Sequence, residues 1–279
     1  MAYRSYQIAS SDLVLRVVPD FGARVTELVD RRSNRNWLVP GPCSGSTGGN
    51  AKYGAVEACG WDECAPTVAP CPDPDWECDL RDHGDLWGRP WKAEIRQDGI
   101  DCVYSEERFT FSRSLTLQGR RLVCQYSMAA TGTRTLPFMW SQHMLLATRP
   151  GEEIRFEGVG NWTEYGKVPA THTVQGTEAS LVSKSYGSVS KRAKAWIEGK
   201  NGSIQLSWNA SDAPFCGLWL AFGGWPDPKA PLHQMAIEPT SAPADDLSGA
   251  RRLGHARFLK PGEEISWQIE VTVLPPENH

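Results

Sequence analysis

The sequence has no long apolar run and no excess of basic residues. No segment reaches the roughly 18 apolar residues of a membrane-spanning helix, and the N-terminal stretch MAYRSYQIASSDLVLRVVP lacks the apolar core of a secretion signal. The 29 lysines and arginines are scattered and are outnumbered by 33 aspartates and glutamates, which gives a net charge of -4. Membrane insertion and nucleic-acid binding are therefore not expected. We expect a cytoplasmic protein, monomer or homodimer, whose partner is a small molecule.

Cysteine pairs of the C-x₂-C kind are also missing. Cys59, Cys64, Cys71 and Cys78 lie near one another, but the first gap is at the upper limit of the usual C-x₂₋₄-C spacing of zinc ligands and the other gaps are longer. The absence of a secretion signal argues against a disulfide framework. We therefore predict free thiols in a loop and no metal site.

Helical periodicity is the third absence. No window of about 12 residues shows an apolar stripe at helical spacing, and 26 glycines and 20 prolines interrupt the chain frequently. Strict alternation is common instead, for example in ISWQIEVTV from Ile265 to Val273 and in LVCQYSMA from Leu122 to Ala129. The sequence predicts an all-β protein, a large antiparallel β-sandwich formed by one domain over residues 1–279.

Two segments depart from this alternation, residues 39–91 and residues 223–250. Both are rich in glycine and proline, and both contain tryptophan. Long irregular segments in a compact domain are usually functional or disordered, and tryptophan argues for order. We therefore predict ordered functional loops in both segments.

Three residues outside the best alternating runs can carry acid–base chemistry. They are His83 in DHGDLW, His143 in PFMWSQHMLLA and Glu238 in MAIEPTSAPADDL. Because Glu238 directly precedes a proline, we expect it to leave a strand at a sheet edge, where the chain turns. Taken singly, each histidine could equally be a hydrogen-bonded structural residue. Tryptophans near charged residues in the irregular segments suit a polar ligand with an apolar face, such as a sugar.

The order of these motifs resembles the aldose 1-epimerase (galactose mutarotase-like) superfamily over nearly the whole chain. VPDFGARVTELVDRRSNRNWL is similar to the opening of that family, and GWDECAPTV with DHGDLWGRPW is similar to its His-Gly segment. LPFMWSQHMLLA resembles its second histidine segment, and IEPTSAPADDL resembles its late Glu-Pro segment.

The resemblance implies a mutarotase that interconverts the α and β anomers of a free aldose or aldose derivative without a cofactor. Glu238 matches the family's base, His143 its acid, and His83 the second histidine that holds the substrate oxygens. Ring opening needs a base at the anomeric hydroxyl and an acid at the ring oxygen. We therefore expect an ionised Glu238 and a protonated His143, with the pKa of His143 raised by a nearby carboxylate.

Other residues are expected to contact the substrate. The family grips sugar hydroxyls with a late aspartate, for which Asp212, Asp227, Asp245 and Asp246 all remain open. Arg81 and Arg89 flank His83 and either bind an anionic group of the sugar or form structural ion pairs. The predicted substrate-binding set is Asp62, Glu63, Arg81, Trp87, Arg89 and Trp140.

Two other functions remain open at this point. A non-catalytic carbohydrate-binding protein on the same fold would need no convergence of Glu238 and His143. A glycosidase or lyase would ordinarily need two carboxylates, and the matched positions supply one carboxylate and two histidines. Phosphorylated, sulfonated and acidic sugars stay open as substrates.

Overall fold

A computed structural model describes residues 3–43, 52–227 and 229–276. Within these residues the secondary structure is mainly β: β1 (Tyr6–Ala9), β2 (Leu13–Val18), β3 (Arg24–Asp30), β4 (Arg35–Asn36), β5 (Trp61–Cys64), β6 (Cys71–Asp73), β7 (Cys78–Leu80), β8 (Lys92–Ile95), β9 (Gly99–Ser105), β10 (Phe109–Gln118), β11 (Arg121–Ala130), β12 (Leu136–Phe138), β13 (Ser141–Leu146), β14 (Glu153–Gly160), β15 (Leu181–Gly199), β16 (Gly202–Asn209), β17 (Phe215–Phe222), β18 (His233–Thr240), β19 (Arg257–Leu259) and β20 (Glu264–Leu274). One α-helix is described, α1 (Leu247–Arg252), with short 3-10 turns at Pro19–Phe21, Trp162–Tyr165 and Thr177–Ala179.

The alternating segments form the strands that the sequence predicts. Strand β11 buries every second residue, and it pairs antiparallel with β20, where Tyr126 lies opposite Trp267. Successive side chains of a strand point to opposite faces, so this alternation puts one face of each strand in the core. The prediction of an all-β antiparallel protein is confirmed.

Sixteen strands share one hydrogen-bonded sheet in the order β1-β2-β3-β5-β13-β18-β17-β15-β16-β20-β11-β10-β9-β8, with β14 paired to β15 and β4 to β3. Strands β5 and β10 are far apart in this order, yet Glu63 of β5 forms a buried ion pair with Arg113 of β10. Trp140, which precedes β13, packs edge-on against Trp267 of β20, with ring centroids 5.0 Å apart. The two halves of the sheet therefore face each other as a sandwich.

Neither irregular segment is free of strands, contrary to the sequence prediction. Residues 39–91 contain β5, β6 and β7, and residues 223–250 contain β18 and α1. Strand β18 is central, because it pairs with β13 on one side and β17 on the other. Glu238 therefore lies inside a strand in the middle of the sheet, and the predicted position at a sheet edge is wrong. The prediction assumed that the strand ends before Pro239, whereas β18 continues through this residue.

None of the helices among the described residues has the length and apolar character needed to span a membrane. The α-helix is six residues long and starts at Leu247, and the carboxylate of the preceding Asp246 accepts a hydrogen bond from the Gly249 amide. This is an ordinary N-cap.

Candidate active site

Neighbouring strands carry a row of polar side chains on one face of the sheet. Asp62 of β5 lies opposite His143 of β13 in the strand register. The register also pairs Ser141 with Thr240 and Leu145 with Ala236, which places His143 opposite Glu238 of β18. Directly opposed residues of an antiparallel pair share a face and have Cβ atoms about 4.5–5.5 Å apart. We call Asp62, His143 and Glu238 the polar row.

A cleft of about 330 Å³ lies over this row. Its floor is formed by residues of the central strands, and loops before β5 and after β7 close it from above. The lining residues are Tyr53, Ala58, Val68, Asp82, His83, His143, Lys184, Trp219, Trp225, Gln234, Glu238 and Asp245. The structure thus brings His83, His143 and Glu238 together, although they are distant in the sequence.

Of the two carboxylate oxygens of Glu238, one accepts hydrogen bonds and the other has no partner among the described residues. Its side chain is 2% exposed. Oε2 accepts a hydrogen bond from the Lys184 ammonium group and another, 3.4 Å long, from the Ser141 hydroxyl. Oε1 is buried and has no hydrogen-bond partner within the described residues. Buried polar atoms are nearly always hydrogen-bonded, so the unpaired Oε1 beside the cleft is an acceptor available for a hydrogen bond from a ligand.

His143 is buried in the floor and is a neutral imidazole. Burial, followed by the nearby His83, Lys184 and Arg24, holds the pKa of His143 well below its usual range. Its Nδ1 lies 3.5 Å from the Tyr53 hydroxyl. The expectation that a nearby carboxylate raises the pKa of His143 is therefore wrong, because burial, and after it the nearby cationic groups, disfavour the charged imidazole.

His83 is the histidine that has a carboxylate partner. Its Nδ1 lies 2.8 Å from Asp82 Oδ1, and its ring stacks on Tyr53 with centroids 3.8 Å apart. Burial opposes the charge of Asp82, but hydrogen bonds from His83 and from the Tyr53 amide lower the pKa of this carboxyl group. The rings of His83 and His143 are 4.9 Å apart between centroids. The backbone of His83 has a φ of +59°, a conformation in which non-glycine residues are uncommon.

Asp62 supports the site from below and does not line the cleft. Arg24, which is fully buried, donates to both of its oxygens at 2.9 and 2.5 Å, and the Tyr53 hydroxyl lies 3.3 Å from Oδ2. Burial disfavours the charge of Arg24, but Asp62 more than offsets this and raises the pKa of the guanidinium group. Asp62 therefore holds Tyr53, the residue that contacts both histidines.

Glu63 lies on the opposite face of β5, inside the sandwich. Its carboxylate accepts hydrogen bonds from Trp61, Arg113, Tyr126 and Trp140, at 2.9 to 3.1 Å. Because neighbouring residues of a strand point to opposite faces, Asp62 and Glu63 cannot both approach the cleft. The predicted substrate contact of Glu63 is therefore wrong, and that of Trp140 is wrong for the same reason.

Arg81 and Arg89 also lie outside the cleft. Arg81 donates to the carbonyl oxygens of Gly84 and Trp87, both at 2.7 Å, and so fixes the loop that carries His83. Arg89 pairs with Asp85 at 3.0 Å. The structure supports the structural alternative for both arginines, because neither lines the cleft that contains His83, His143 and Glu238.

Trp87 is buried behind Tyr53, with ring centroids 5.2 Å apart, and does not line the cleft. Trp219 and Trp225 form the aromatic wall instead, in edge-to-face contact at 6.3 Å. Of the four late aspartates, Asp245 lines the cleft and accepts a hydrogen bond of 2.6 Å from Tyr186. Asp212, Asp227 and Asp246 are bonded elsewhere, to Asn209, to the Lys229 amide and within α1.

Sequence reasoning missed Lys184, Gln234 and Trp219. Lys184 and Trp219 are cross-strand partners on β15 and β17, and Gln234 Oε1 is a second buried oxygen that has no hydrogen-bond partner among the described residues. Gln234 and Glu238 are four residues apart, so a strand through both places their side chains on the same face, but the sequence of β18 does not indicate a strand. No local signal distinguishes Lys184 from the other lysines of β15.

Comparison with protein-family models finds none that matches this chain, and a search of curated proteins finds no match. Solved structures do match over the full length. A protein of Escherichia coli K12 provisionally named an aldose 1-epimerase has 17% identity and a TM-score of 0.73, covering 98% of this chain and 99% of its own. A galactose mutarotase related enzyme from Lactobacillus acidophilus has 13% identity and a TM-score of 0.73, with 99% of each chain covered.

A galactose mutarotase-like protein from Clostridium acetobutylicum is similar at 15% identity and a TM-score of 0.68, covering 98% of this chain and 96% of its own. Likeness at such low identity is evidence about architecture. The resemblance seen in the sequence is therefore confirmed at the level of the fold: the chain has the galactose mutarotase-like fold.

Proposed function

We propose that this protein is an aldose 1-epimerase that interconverts the α and β anomers of a free neutral aldose. One observation carries the proposal: Glu238, with an unpaired Oε1, lies opposite His143 in the floor of a cleft that His83 also lines. A volume of about 330 Å³ is at the small end of the range for ligand sites, as expected for a monosaccharide.

Glu238 is the base of the proposed reaction. Its Oε1 accepts the proton of the anomeric hydroxyl group, while Lys184 stabilises the negative charge through Oε2. As the O–H bond breaks, the electrons form the C1 carbonyl group, and the bond between C1 and the ring oxygen breaks. The ring oxygen must take up a proton at the same time.

His83 supplies that proton in the proposed mechanism. An ionised Asp82 is an acceptor only, so it fixes a proton on Nδ1 of His83. In its charged form His83 has a second N–H, on Nε2, to give to the ring oxygen. Neutral His143 then acts as a hydrogen-bonding group for a substrate oxygen. After rotation about the C1–C2 bond, the same groups reverse their roles, and the ring closes with the other anomer.

The charges around the cleft favour a neutral aldose over a phosphorylated or acidic one. The described residues that line the cleft include the acidic Asp82, Glu238 and Asp245. They also include the cationic Lys184, but it is already paired with Glu238. The arginines that could have bound an anionic group lie elsewhere. Trp219 and Trp225 offer the apolar surface on which a sugar ring can pack.

Substitution of Glu238 by Gln tests the proposal, because it keeps the shape and removes the base. We expect the anomerisation rate of a neutral aldose, followed by polarimetry with the uncatalysed rate subtracted, to fall roughly 10²–10⁴-fold with a smaller change in KM. Glu157→Gln, on the exposed surface of β14, is the control and should keep wild-type activity. A Glu238→Gln enzyme with near wild-type turnover would refute the mechanism.

A carbohydrate-binding protein is the second candidate, and two observations favour it. Lys184 occupies one oxygen of Glu238, and His143 is held in the neutral form. A wild-type protein that binds aldoses in calorimetry without accelerating their mutarotation would establish this alternative.

A further inference from the structure

A thiol converges with the two imidazoles that line the cleft. The sulfur of Cys64 and one ring nitrogen each of His83 and His143 all lie within 4.8 Å of one another. Cysteine and histidine are the preferred ligands of zinc and related soft divalent ions. The acid–base mechanism uses both histidines but gives no role to Cys64.

The strand geometry explains why Cys64 faces this cluster. Cys64 is two residues after Asp62 on β5, so both side chains lie on the same face of the sheet. Its register partner is Ser141 of β13, two residues before His143. Cys64 is buried, and no other described residue forms a hydrogen bond with its sulfur.

The spacing is close to that of a tetrahedral site. Zinc binds thiolate sulfur at about 2.3 Å and imidazole nitrogen at about 2.0–2.1 Å, which puts tetrahedral ligands roughly 3.3–3.6 Å apart. Side-chain rotations that move the ligand atoms by about 1 Å are enough to bring them from the observed separations to this spacing. His83 belongs to a loop and is partly exposed, so its ring can make this movement.

A carboxylate lies on the strand next to His143. Glu238 is opposite His143 in the register, and its Oε1 is buried and has no hydrogen-bond partner among the described residues. Burial, and after it the negative charge of Glu238, raise the pKa of the Cys64 thiol. A bound divalent cation would offset this negative charge and displace the thiol proton.

We propose that Cys64, His83 and His143 form a binding site for a thiophilic divalent cation such as Zn²⁺, and that the bound ion excludes the sugar. The inhibitory part rests on the proposed function, since it requires that His83 and His143 contact substrate, whereas the binding part does not. The spacing argument from the sequence considered cysteine pairs, and it could not detect a site made from one cysteine and two distant histidines.

Titration of the apoprotein with Co²⁺ tests the binding directly. Tetrahedral Co²⁺ absorbs in the visible, and a cobalt–thiolate bond adds a charge-transfer band in the near ultraviolet. We expect both features at one equivalent of Co²⁺, and their loss when Zn²⁺ is added. A wild-type protein that shows no thiolate band overturns the proposal, and this result needs no variant.

Two cysteine variants identify the thiol. Cys64→Ser should lose the charge-transfer band and bind Zn²⁺ more weakly in calorimetry, by at least the roughly 10–100-fold that loss of an outer-shell partner costs. Cys59→Ser is the matched control, because Cys59 is also buried and precedes the same strand but lies outside the cluster. A band that persists in Cys64→Ser would overturn the assignment. His83→Gln, which keeps the thiol, should weaken Zn²⁺ binding similarly if Cys64→Ser does not fold.

The inhibitory part is tested by mutarotation rates measured with and without Zn²⁺. Zn²⁺ should raise the apparent KM for the aldose in the wild type and in Cys59→Ser. In Cys64→Ser, the rate relative to its own metal-free value should respond only at much higher Zn²⁺ concentrations. Stoichiometric Zn²⁺ binding that leaves the rate unchanged, or increases it, would refute the inhibition while leaving the metal site intact.

Discussion

Glu238 is a carboxylate whose two oxygens have different surroundings. Oε2 is held by the ammonium group of Lys184, and Oε1 is unpaired beside the cleft. An ionised carboxylate in a buried position needs a cationic or hydrogen-bonding partner to remain ionised. In the proposed mechanism Lys184 is therefore a positioning residue, which keeps the base charged and turned toward the substrate.

Substitution of Lys184 by Gln should separate this role from a structural one. Without the ammonium group, Oε2 of Glu238 loses the partner that holds it, so kcat should fall roughly 10-fold or more while KM changes less. Lys194→Gln is the matched control, because Lys194 lies on the same strand and pairs with the exposed Glu157. An unchanged kcat in Lys184→Gln, or equal changes of kcat in the two variants, would contradict the role of Lys184.

At this scale the sequence predicts some site residues and not others. His83, His143 and Glu238 could be found because each lies in a motif whose order resembles a known family. Alternation in β5 could have shown that only one of Asp62 and Glu63 faces the cleft. Lys184 could not be found, because it lies in a strand with several lysines, and only the pairing with β17 shows which one points toward Glu238.

The strand next to Glu238 carries a glycine where a side chain would collide. Gly217 of β17 is the register partner of Glu238, and a Cβ atom added to it would lie 3.0 Å from Glu238 Oε2 and 3.3 Å from Tyr186. Both neighbours are buried, so neither can move away easily. The glycine therefore sets the space in which the carboxylate sits.

Gly217→Ala should displace Glu238 without removing any catalytic group. A shift of about 1 Å at a catalytic group can cost roughly 10²-fold in rate. The added methyl group requires a shift of only a few tenths of an ångström, so we expect kcat to fall by less than about 10²-fold, with the thermal midpoint little changed. Gly160→Ala, in β14, is the control, because nothing lies within 4 Å of its added Cβ. Equal activity of the two variants, measured by polarimetry, would show that the space beside Glu238 is not needed.

Elements were predicted well where alternation is strict and poorly where strands are short or contain proline. Strands β11 and β20 follow the alternating pattern. Both faces of strand β18 are buried, since its first residue is half-buried and all the others are buried. Its sequence therefore lacks the alternation of apolar and polar residues that marks a half-buried strand. Strand β5 has four residues, all of them buried, and its surroundings are rich in glycine and cysteine.

The charge of the whole molecule and that of its cleft have the same sign. The net charge is -4, and Asp82, Glu238 and Asp245 line the cleft with one paired lysine. A negative potential over the cleft repels anions and slows their entry, more strongly at low ionic strength. This field adds to the absence of arginine among the described residues that line the cleft.

Neutral aldoses should therefore be better substrates than their 6-phosphates. We expect kcat/KM for a neutral aldose to exceed that for its 6-phosphate by roughly 10-fold or more at low salt, with the difference shrinking as salt is added. Asp245→Asn, which removes a carboxylate from the rim, should narrow the difference. Faster turnover of the phosphorylated sugar, measured in the same polarimetric assay, would contradict the charge argument.

The architecture of the whole molecule could be predicted from the sequence as an antiparallel sandwich, because alternation and the order of motifs act over its full length. The order of strands could not, since it depends on which distant segments pair. Strand β5, for example, pairs with β3 and β13, and no local property of WDEC specifies those partners.

The polar row has a consequence for folding kinetics. Ser141 and Glu238, which share a hydrogen bond in the site, are 97 positions apart in the chain, and Lys184 comes from a third strand between them in sequence. Local hairpins such as β10–β11 can close early, whereas pairings between distant segments must wait for long loops to close and are slow. During refolding, activity should therefore return after most of the β-sheet circular dichroism signal, so that enzymatic turnover reports the closing of the central sheet.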